Sequence, residues 1–544
     1  MIPFNLLTEH WIPVRRADGT RLRIPPWRIG DAGDGTPGQA IEDIDTPRPD
    51  FKGALLEFLV GLVQTASPPP NEQAWVDGFA APPTPATLQH AFSPLLPFFN
   101  LFGQRPRFLQ DLNLSEAETK EPWNVAALLL DSPGENATRF NSDIFLKRDQ
   151  PPEKLCPACA ATALMAMQAY APSGGAGHRT SMRGGGPLTT LVVRDTLWET
   201  VWANVLPLDA PKVEAGPESP DGLPDAVFPW PAPTHESNAK GTELHREGMH
   251  FLHHYWGMPR RIVLLPTEEA TPAVCPVCGS TGTVFVYSYL TKNYGNNYGM
   301  GWRHPLTPYR DQGPGKDALS LKGISEGRGY NQWLGLVYGE GDTEKFPVLP
   351  AACVRHYGKS SRKKDGTVVG RVRAFGYDMD NMKPRNWCEG EYPVYALGEH
   401  EAKDFQAEIT PVVKAADLAR RNLQSAVKEA LFGEKGAKDI KPDASLIKQL
   451  EARFWAETEE AFYRLVPGVI RHMDDEEALF PDLVGWRNVI TKTAETLFTQ
   501  FVLDGGLLPR KAKRIYTVYN RMLAFNFAGC SKLLGIPLKK EANK

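Results

Sequence analysis

The 544-residue chain predicts an α+β protein: a large mixed N-terminal domain with a four-cysteine zinc site, about residues 1–398, followed by a C-terminal four-helix bundle over 399–544. Three observations predict it. Two Cys-x-x-Cys pairs, Cys156-Pro-Ala-Cys159 and Cys275-Pro-Val-Cys278, stand far apart in a region that mixes helix and strand patterns. Alternation of apolar and polar residues marks a strand from Thr283 to Leu290. From about residue 400 the pattern becomes long amphipathic segments, 405–432, 444–465, 474–503 and 510–533, joined by short turns. Four such helices with short connections fold naturally as an antiparallel bundle.

In chain order, Asn5 to Val14 followed by Asp18-Gly19 reads as strand, turn, strand. Leu55 to Val63 reads as a short apolar helix and Ala86 to Leu101 as a second helical stretch. Small and apolar residues from Ala160 to Tyr170 make a good helix behind the first cysteine pair, ending near Pro172. A glycine-rich run, Ser173 to Pro187, comes next, and residues 188–206 return to strand and helix patterns. Between Pro207 and Pro233 a Pro- and acid-rich tract reads as a surface loop or linker. Residues 346–376 suggest a hairpin whose tip is Lys359 to Gly366, with Arg362, Lys363 and Lys364 on it.

The length exceeds what one hydrophobic core organises, so two or more domains are expected. Hydrophobic content of 42% and charged content of 23% suit a soluble globular protein. The residues Met1 to Arg16 lack the apolar run of a signal peptide, and no stretch is uninterrupted enough to span a membrane. Cys353, Cys388 and Cys530 stand singly, which suits a reducing cytoplasm. A net charge of −3 argues against a protein that coats nucleic acid non-specifically, while leaving room for local basic patches.

Each cysteine pair reads as half of a tetrahedral thiolate site, because a tight turn lets two sulfurs at this spacing face one ion. Gly279 after the second pair supports such a turn. Two separate redox pairs or two disulfides are the alternatives. Four thiolates leave no open position for water or substrate, so the expected role of zinc is structural.

The glycine-rich run carries His178, Arg179 and Arg183. Its glycines allow close approach of backbone to a phosphate or base edge, and its bases supply charge. It lacks the Gly-Lys-Ser/Thr ending of a P-loop and follows a helix, unlike a dinucleotide-binding fingerprint. The segment 289–304 interleaves aromatics, amides and bases, so that Lys292, Asn293, Asn296 and Asn297 could bond phosphates or groove edges and the tyrosines could stack. His245, His250, His253 and His254 invite a metal reading, but no Glu completes a His-Glu-x-x-His pattern, and a mix of core and surface histidines is the plainer expectation. The acids Asp474 to Glu477 fit the start of a helix. No nucleophile elbow, Walker motif or nuclease acid cluster occurs, so the motifs do not argue for an enzyme.

Taken together, the Asn5–Val14 opening, Phe145, the two cysteine pairs, the glycine-rich loop, Arg183-Gly-Gly-Gly-Pro187, the stretch Gly376 to Lys383 and the C-terminal helical pattern resemble one family along nearly the whole chain: the CasA-type large subunit of the type I-E CRISPR surveillance complex, Cascade. The resemblance implies a non-enzymatic subunit. It would read the protospacer-adjacent motif (PAM) in double-stranded target DNA and start strand separation and R-loop formation. It would also help recruit a separate helicase-nuclease, in the cytoplasm and without membrane contact. Its implied partners are guide RNA, the other Cascade subunits and target DNA. Minor-groove reading suits a short degenerate motif, and RNA pairing reads the rest. A zinc-containing nucleic-acid-processing enzyme, with the histidines as its site, is the alternative.

By the same resemblance, the PAM-reading loop falls on Gly174, Gly175, Ala176 and Gly177, where Ala176 replaces a glycine of the family's run. The lysine finger falls on Thr291-Lys292-Asn293, with Lys292 making the phosphate or groove contact and Asn293 beside it. The wedge that splits the duplex falls on Asp380, Asn381 and Met382, with Asn381 where a glutamine is often seen. Phe145, Lys147 and Arg148 match the segment that docks on the 5′ handle of the guide RNA. Zinc would sit on Cys156, Cys159, Cys275 and Cys278.

Overall fold

The computed structural model describes residues 2–31, 33, 38–119, 121–132, 144–145, 150–175, 177–210, 227–324, 329–341, 345–360, 367–380, 383–397, 401–439, 445–473, 475–504 and 511–538. The chain falls into two compact units. The first comprises Met1–Ser325, Pro350–Tyr357 and Gly370–Glu391; the second comprises Glu326–Leu349, Gly358–Val369 and Tyr392–Lys544.

The first unit opens with the predicted turn and return strand, but the stretch read as one strand from Asn5 to Val14 is strand only at its two ends, with turns between them. Strand β1 (Phe4–Asn5) precedes β2 (Ile12–Arg16), and Gly19 at φ +87° lets the chain turn back into β3 (Arg21–Ile24). Strand β4 (Ile41–Ile44) lies on the other side of β2, giving the order β3-β2-β4. Helix α1 (Pro49–Ala66) starts with proline in its first turn and buries nearly its whole circumference, including Leu55, Leu59, Leu62 and Val63. Its Phe58 enters an aromatic cluster with Trp11, Phe99, Phe108 and Trp256, at 5.6 Å from Trp11 and 5.8 Å from Phe108.

Helix α2 (Glu72–Ala80) is capped by Asn71 and α3 (Pro85–Phe92) by Thr84. The predicted helix from Ala86 to Leu101 is shorter than expected: Pro94 and Pro97 turn it into a 3-10 segment over Ser93–Phe98, and β5 (Asn100–Phe102) then pairs with β1. Strand β6 (Trp123–Asn124) precedes α4 (Pro157–Tyr170), whose alanines let it be buried on almost every side. Strand β7 (Thr189–Val193) and α5 (Leu197–Ala203), with a Thr196–Glu199 capping box, fill the predicted strand and helix of 188–206. Of the Pro207–Pro233 tract, residues 211–226 lie outside the described residues.

Strand β8 (Glu243–Leu244) is short, and the long ribbon follows: β9 (Arg261–Val274) and β10 (Thr281–Lys292) run antiparallel from Lys292↔Arg261 to Thr281↔Val274, with β6 on the far edge of β10. The second cysteine pair stands at the turn of this ribbon and Lys292 at its opposite end. Strand β11 (Asn297–Tyr298) pairs with β8, and β12 (Tyr309–Arg310) with β13 (Leu319–Ser320).

One expectation fails. Residues 346–376 hold β14 (Val348–Leu349), then a helix beginning at Ala352 in place of the first arm of the expected hairpin, while the second arm is a strand from Val368 onward. With α6 (Trp333–Val337) before it, this helix is α7 (Ala352–Ser360). Cys353, Val354 and Tyr357 share its buried face, a helical spacing that the charged turn residues obscured. Arg362, Lys363 and Lys364 lie outside the described residues. The strand ribbon comes later, as β15 (Val368–Asp380) and β16 (Lys383–Tyr395), in the sheet order β16-β15-β7.

The second unit carries the C-terminal helical region: α8 (Glu401–Asp439), α9 (Ser445–His472), α10 (Glu476–Phe498) and α11 (Ala512–Leu533). Helix α8 breaks at Gly433, φ +78°. Leu423, Val427, Phe462, Ile490, Leu497 and Met522 are buried between these helices. Cross-helix hydrogen bonds fix their register, from Trp486 Nε1 to Val412 O at 3.0 Å and from Asn422 Nδ2 to Asn526 Oδ1 at 2.8 Å. Asp475 caps α10 through the Ala478 amide, as its acidic start predicts, while Asp474 lies outside the described residues.

Candidate metal centre and nucleic-acid interface

The two cysteine pairs meet. Cys156 ends the chain's approach to α4 and occupies its N-cap position, and Cys159 lies one turn into the helix. Cys275 and Cys278 stand at the tip of the β9–β10 ribbon, where Gly279 at φ +72° closes the knuckle and its amide donates to Cys275 O at 2.9 Å. Leu155 pairs with Val286 on the ribbon, which brings the first pair to the second. All four sulfurs lie within 4.8 Å of one another, and Cys156 Sγ is 3.6 Å from Cys278 Sγ. That is too long for a disulfide and close to the spacing of about 3.8 Å set by a tetrahedral ion with bonds of about 2.3 Å. Sulfur donors alone, nearly enclosed, fit a soft tetrahedral ion with no open position.

Hydrogen bonds from Cys156 and then Cys159 lower the Cys275 thiol, and the same neighbours lower Cys278, so the cluster favours the thiolate form on the second pair. Arg23, on β3, reaches the cluster from 255 residues away: its Nη2 lies 3.3 Å from Cys278 Sγ and donates also to Ser280 Oγ. A guanidinium facing a thiolate offsets part of the negative charge that four such ligands gather. Nothing local in the sequence signalled Arg23, because its partner is set only by the tertiary fold.

The glycine-rich loop and the end of the ribbon are brought together. The Tyr294 amide donates to Gly177 O at 2.7 Å, and a Cβ on Gly177 would stand 2.8 Å from Asn293 Cβ. Gly175 at φ +97° and Gly177 at φ +79° adopt conformations that favour glycine. The loop closes on itself through Gly174 N to His178 O, 3.3 Å, and His178 N to Gly175 O, 3.2 Å. Ala176 lies outside the described residues. Lys292 is half-buried, with its Nζ 4.0 Å from Glu236 Oε1. Arg179 is tied to Ser237 and lies over the Tyr294 ring at 5.9 Å. Asn296, expected to reach outward, is buried: it donates to Met258 O at 2.9 Å and accepts from His235 N, so it organises the turn from within.

Two aromatic residues complete this face. Trp123 is 48% exposed and sits 5.8 Å from the His178 ring, and Tyr294 is 40% exposed. Tyr294 belongs to a segment with a readable aromatic signal, whereas Trp123 has none; it arrives here because β6 pairs with β10 at Trp123↔Tyr289.

The remaining candidate residues fall elsewhere. Phe145 is half-buried, its amide donating to Asp131 Oδ2 at 2.9 Å and its ring 5.0 Å from the Arg48 guanidinium. Lys147 and Arg148 lie outside the described residues. Asp380 ends β15, exposed, 4.0 Å from Arg385, while Asn381 and Met382 lie outside the described residues. The run Gly184 to Gly186 serves packing: a Cβ on Gly186 would stand 2.6 Å from Tyr377 O. The histidines do not converge. His253 and His254 are buried and their pKa values fall to about 3 and about 4, chiefly through burial; His250 caps a short 3-10 turn and His245 is exposed.

A family model described as CRISPR-associated protein Cse1 matches residues 5–497. Among solved structures, the chain is similar to Cse1 from Thermobifida fusca, at 17% identity and TM-score 0.70, covering 98% of this chain and 99% of that one. It is similar to Cse1 from Acidimicrobium ferrooxidans at 18% identity and TM-score 0.68, covering 98% and 99%. A chain of a structure described as a CRISPR RNA-guided surveillance complex matches at 18% identity and TM-score 0.65, covering 97% and 100%. At such identities the structural likeness speaks for the fold, and the family match speaks for membership.

Proposed function

Because the chain belongs to the CRISPR-associated protein Cse1 family, we propose that it is the large subunit of a Cascade-type RNA-guided surveillance complex. In this reading it recognises the PAM in double-stranded target DNA, starts strand separation and R-loop formation, and helps recruit the helicase-nuclease. The observation that carries the reading is the glycine loop held against the ribbon end by the Tyr294–Gly177 hydrogen bond, with half-buried Lys292 and two exposed aromatics around it. Glycine backbone with little side-chain bulk can enter a groove, a lysine can reach a phosphate or a base edge, and exposed rings can stack on bases.

In this reading the residues divide the work as follows. Gly174, Gly175, Ala176, Gly177, Lys292 and Asn293 read the motif. Asp380, at the end of β15, together with Asn381 and Met382, acts as the wedge, replacing base stacking with side-chain contacts at a cost of roughly a few kcal/mol per step. Phe145 with Lys147 and Arg148 docks on guide RNA. Cys156, Cys159, Cys275 and Cys278 hold one Zn²⁺, which supplies a structural cross-link between α4 and the ribbon. The division near residue 398 separates a recognition domain from a four-helix bundle that meets neighbouring subunits and the displaced strand. The work is done without catalysis, in the cytoplasm; among the described residues no helix is long and apolar enough to cross a membrane.

The test is a gel-shift series in the assembled guide-RNA complex. Lys292→Ala combined with Asn293→Ala should leave assembly intact and reduce discrimination between PAM-bearing and PAM-free duplexes by roughly tenfold or more, the scale of one or two lost base contacts. Unchanged discrimination sinks the assignment.

A further inference from the structure

Arg260 and Arg261 are adjacent, yet their charges are treated in opposite ways. Arg261 meets Asp111 at 2.6 Å and Glu236 at 2.5 Å. Burial works against its charge, but the two carboxylates outweigh burial and its pKa rises. Among the described residues Arg260 meets no carboxylate. Its Nη2 donates to Pro172 O at 2.5 Å, and among the described residues its buried Nε has no acceptor and its Nη1 makes no hydrogen bond. Burial lowers its pKa to about 10, and the one group that pulls the other way is Tyr289, a phenol raised further by its own burial.

The position of this cation is fixed from behind. The Arg260 amide donates to Gln168 Oε1 at 2.9 Å, and Gln168 Nε2 returns a bond to Arg260 O at 3.0 Å. Gln168 is buried on α4, the helix that begins at Cys156, so the arginine is anchored to the braced scaffold and not to the loop it serves. In front of it lies Gly174, where a Cβ would stand 3.0 Å from Arg260 Nη1 and 3.3 Å from Nη2. A Cβ there would oblige the guanidinium to give by a few tenths of an ångström, so glycine leaves it its place beside the loop. His178 stands beside it, with its own pKa lowered by burial and then by Arg260.

A guanidinium drawn out of water without an acid partner is costly to fold around. Its planar fork matches phosphate oxygens, and an arriving anion would meet both the free Nη1 and the charge that the fold leaves uncompensated. We propose that Arg260 is a phosphate-binding residue, taking one backbone phosphate of the duplex as the glycine loop docks. This rests on the reading of the loop as a DNA-facing element and adds the group that anchors the backbone beside it. A phosphate contact positions the duplex without reading sequence.

The experiment measures affinity of the assembled guide-RNA complex for PAM-bearing and PAM-free duplexes across a fourfold range of salt. Each phosphate neutralised contributes about 0.9 to the slope of log affinity against log salt. Arg260→Gln should lower that slope by about 0.9, so that over the range the wild type loses about threefold more affinity than the variant. The ratio between the two duplexes should stay unchanged, and Arg260→Lys should restore the slope. A slope unaltered by Arg260→Gln overturns the proposal. So does an affinity loss with unaltered slope that Arg260→Lys fails to rescue, the mark of a displaced loop alone. Failure here with intact loss of discrimination in the Lys292→Ala, Asn293→Ala variant removes Arg260 and keeps the PAM reading. The reverse pattern keeps the phosphate contact and removes that reading.

Discussion

The cysteine cluster gathers sulfurs from segments 122 residues apart to within 4.8 Å, whereas the histidines between 245 and 254 are near neighbours in sequence and face different surroundings. His253 Nε2 meets Tyr298 OH at 3.2 Å, His254 Nδ1 meets Phe251 O at 2.8 Å, and His250 receives the Leu252 amide. Both regions are rich in metal-binding residue types. The difference is that the cysteines are spaced by turns that aim two sulfurs at one point, while consecutive histidines in a 3-10 turn radiate from it. Burial then has opposite consequences. Four thiols buried together need a cation to be stable as thiolates, and a histidine buried alone stays neutral.

The largest way to break this comparison is to remove a sulfur. Cys275→Ser should reduce bound metal, measured by elemental analysis of the purified chain, from about one ion to near none. In small zinc domains the binding free energy is on the order of 10 kcal/mol and is folding free energy. Here, where the first unit has its own aromatic core, loss of several kcal/mol in denaturant unfolding is expected. His253→Phe should leave the metal in place. Metal lost from the histidine variant and kept in the cysteine variant would reverse the assignment.

A smaller change sharpens it. Arg23 donates to the Cys278 sulfur without being a ligand. Removing such an outer partner elsewhere costs about 10- to 100-fold in metal affinity. Arg23→Gln should therefore retain metal at saturation but lose it to a chelator at about tenfold lower concentration, with Arg23→Lys intermediate because it keeps charge but not the fork. Equal chelator resistance in all three proteins would mean that the cysteines alone set the affinity.

These cases also mark what the sequence could reveal. The cysteine spacing, the alternation from Thr283 to Leu290 and the helical period beyond residue 400 are local patterns, and each appears in the structure where it was read, the alternation inside the strand Thr281–Lys292. Arg23, Trp123 and Arg260 have no local signature. Their meaning comes from a partner across the fold: a sulfur for Arg23, a histidine ring for Trp123, and for Arg260 the absence of the carboxylate that its neighbour has. Residues 346–376 misled for the opposite reason. A conspicuous charged turn outweighed the buried spacing of Cys353, Val354 and Tyr357, and the true partner of the strand Val368–Asp380 lies further on, at Lys383–Tyr395, while Gly376 within the first strand packs so closely that a Cβ would stand 2.5 Å from Pro187 O. Asn296 shows the same limit at a single residue, since an amide reads alike whether it faces solvent or bonds the backbone behind it.

The smallest effect concerns proton uptake. His254 is held at about 4, against an ordinary 6.5, by burial first and by Arg246 second, partly offset by its bond to Phe251 O. In the unfolded chain it takes a proton as pH falls through about 6.5, while the folded chain refuses that proton until about pH 4. Its contribution to stability is therefore whole above pH 6.5 and is lost as pH falls from there toward 4. The loss is about tenfold in the folding equilibrium per pH unit for one proton. Metal release in acid lowers stability over a similar range, so the wild-type curve mixes both effects. The difference between wild type and His254→Phe separates them. Wild-type stability minus variant stability should be level above about pH 6.5 and fall steadily from there to about pH 4, as the wild type loses stability that the variant has no proton to lose. A constant difference across that range would mean that His254 takes up its proton at the same pH in the folded and unfolded chain, so that burial does not keep it neutral, which would return the histidine segment to contention as an ionic site.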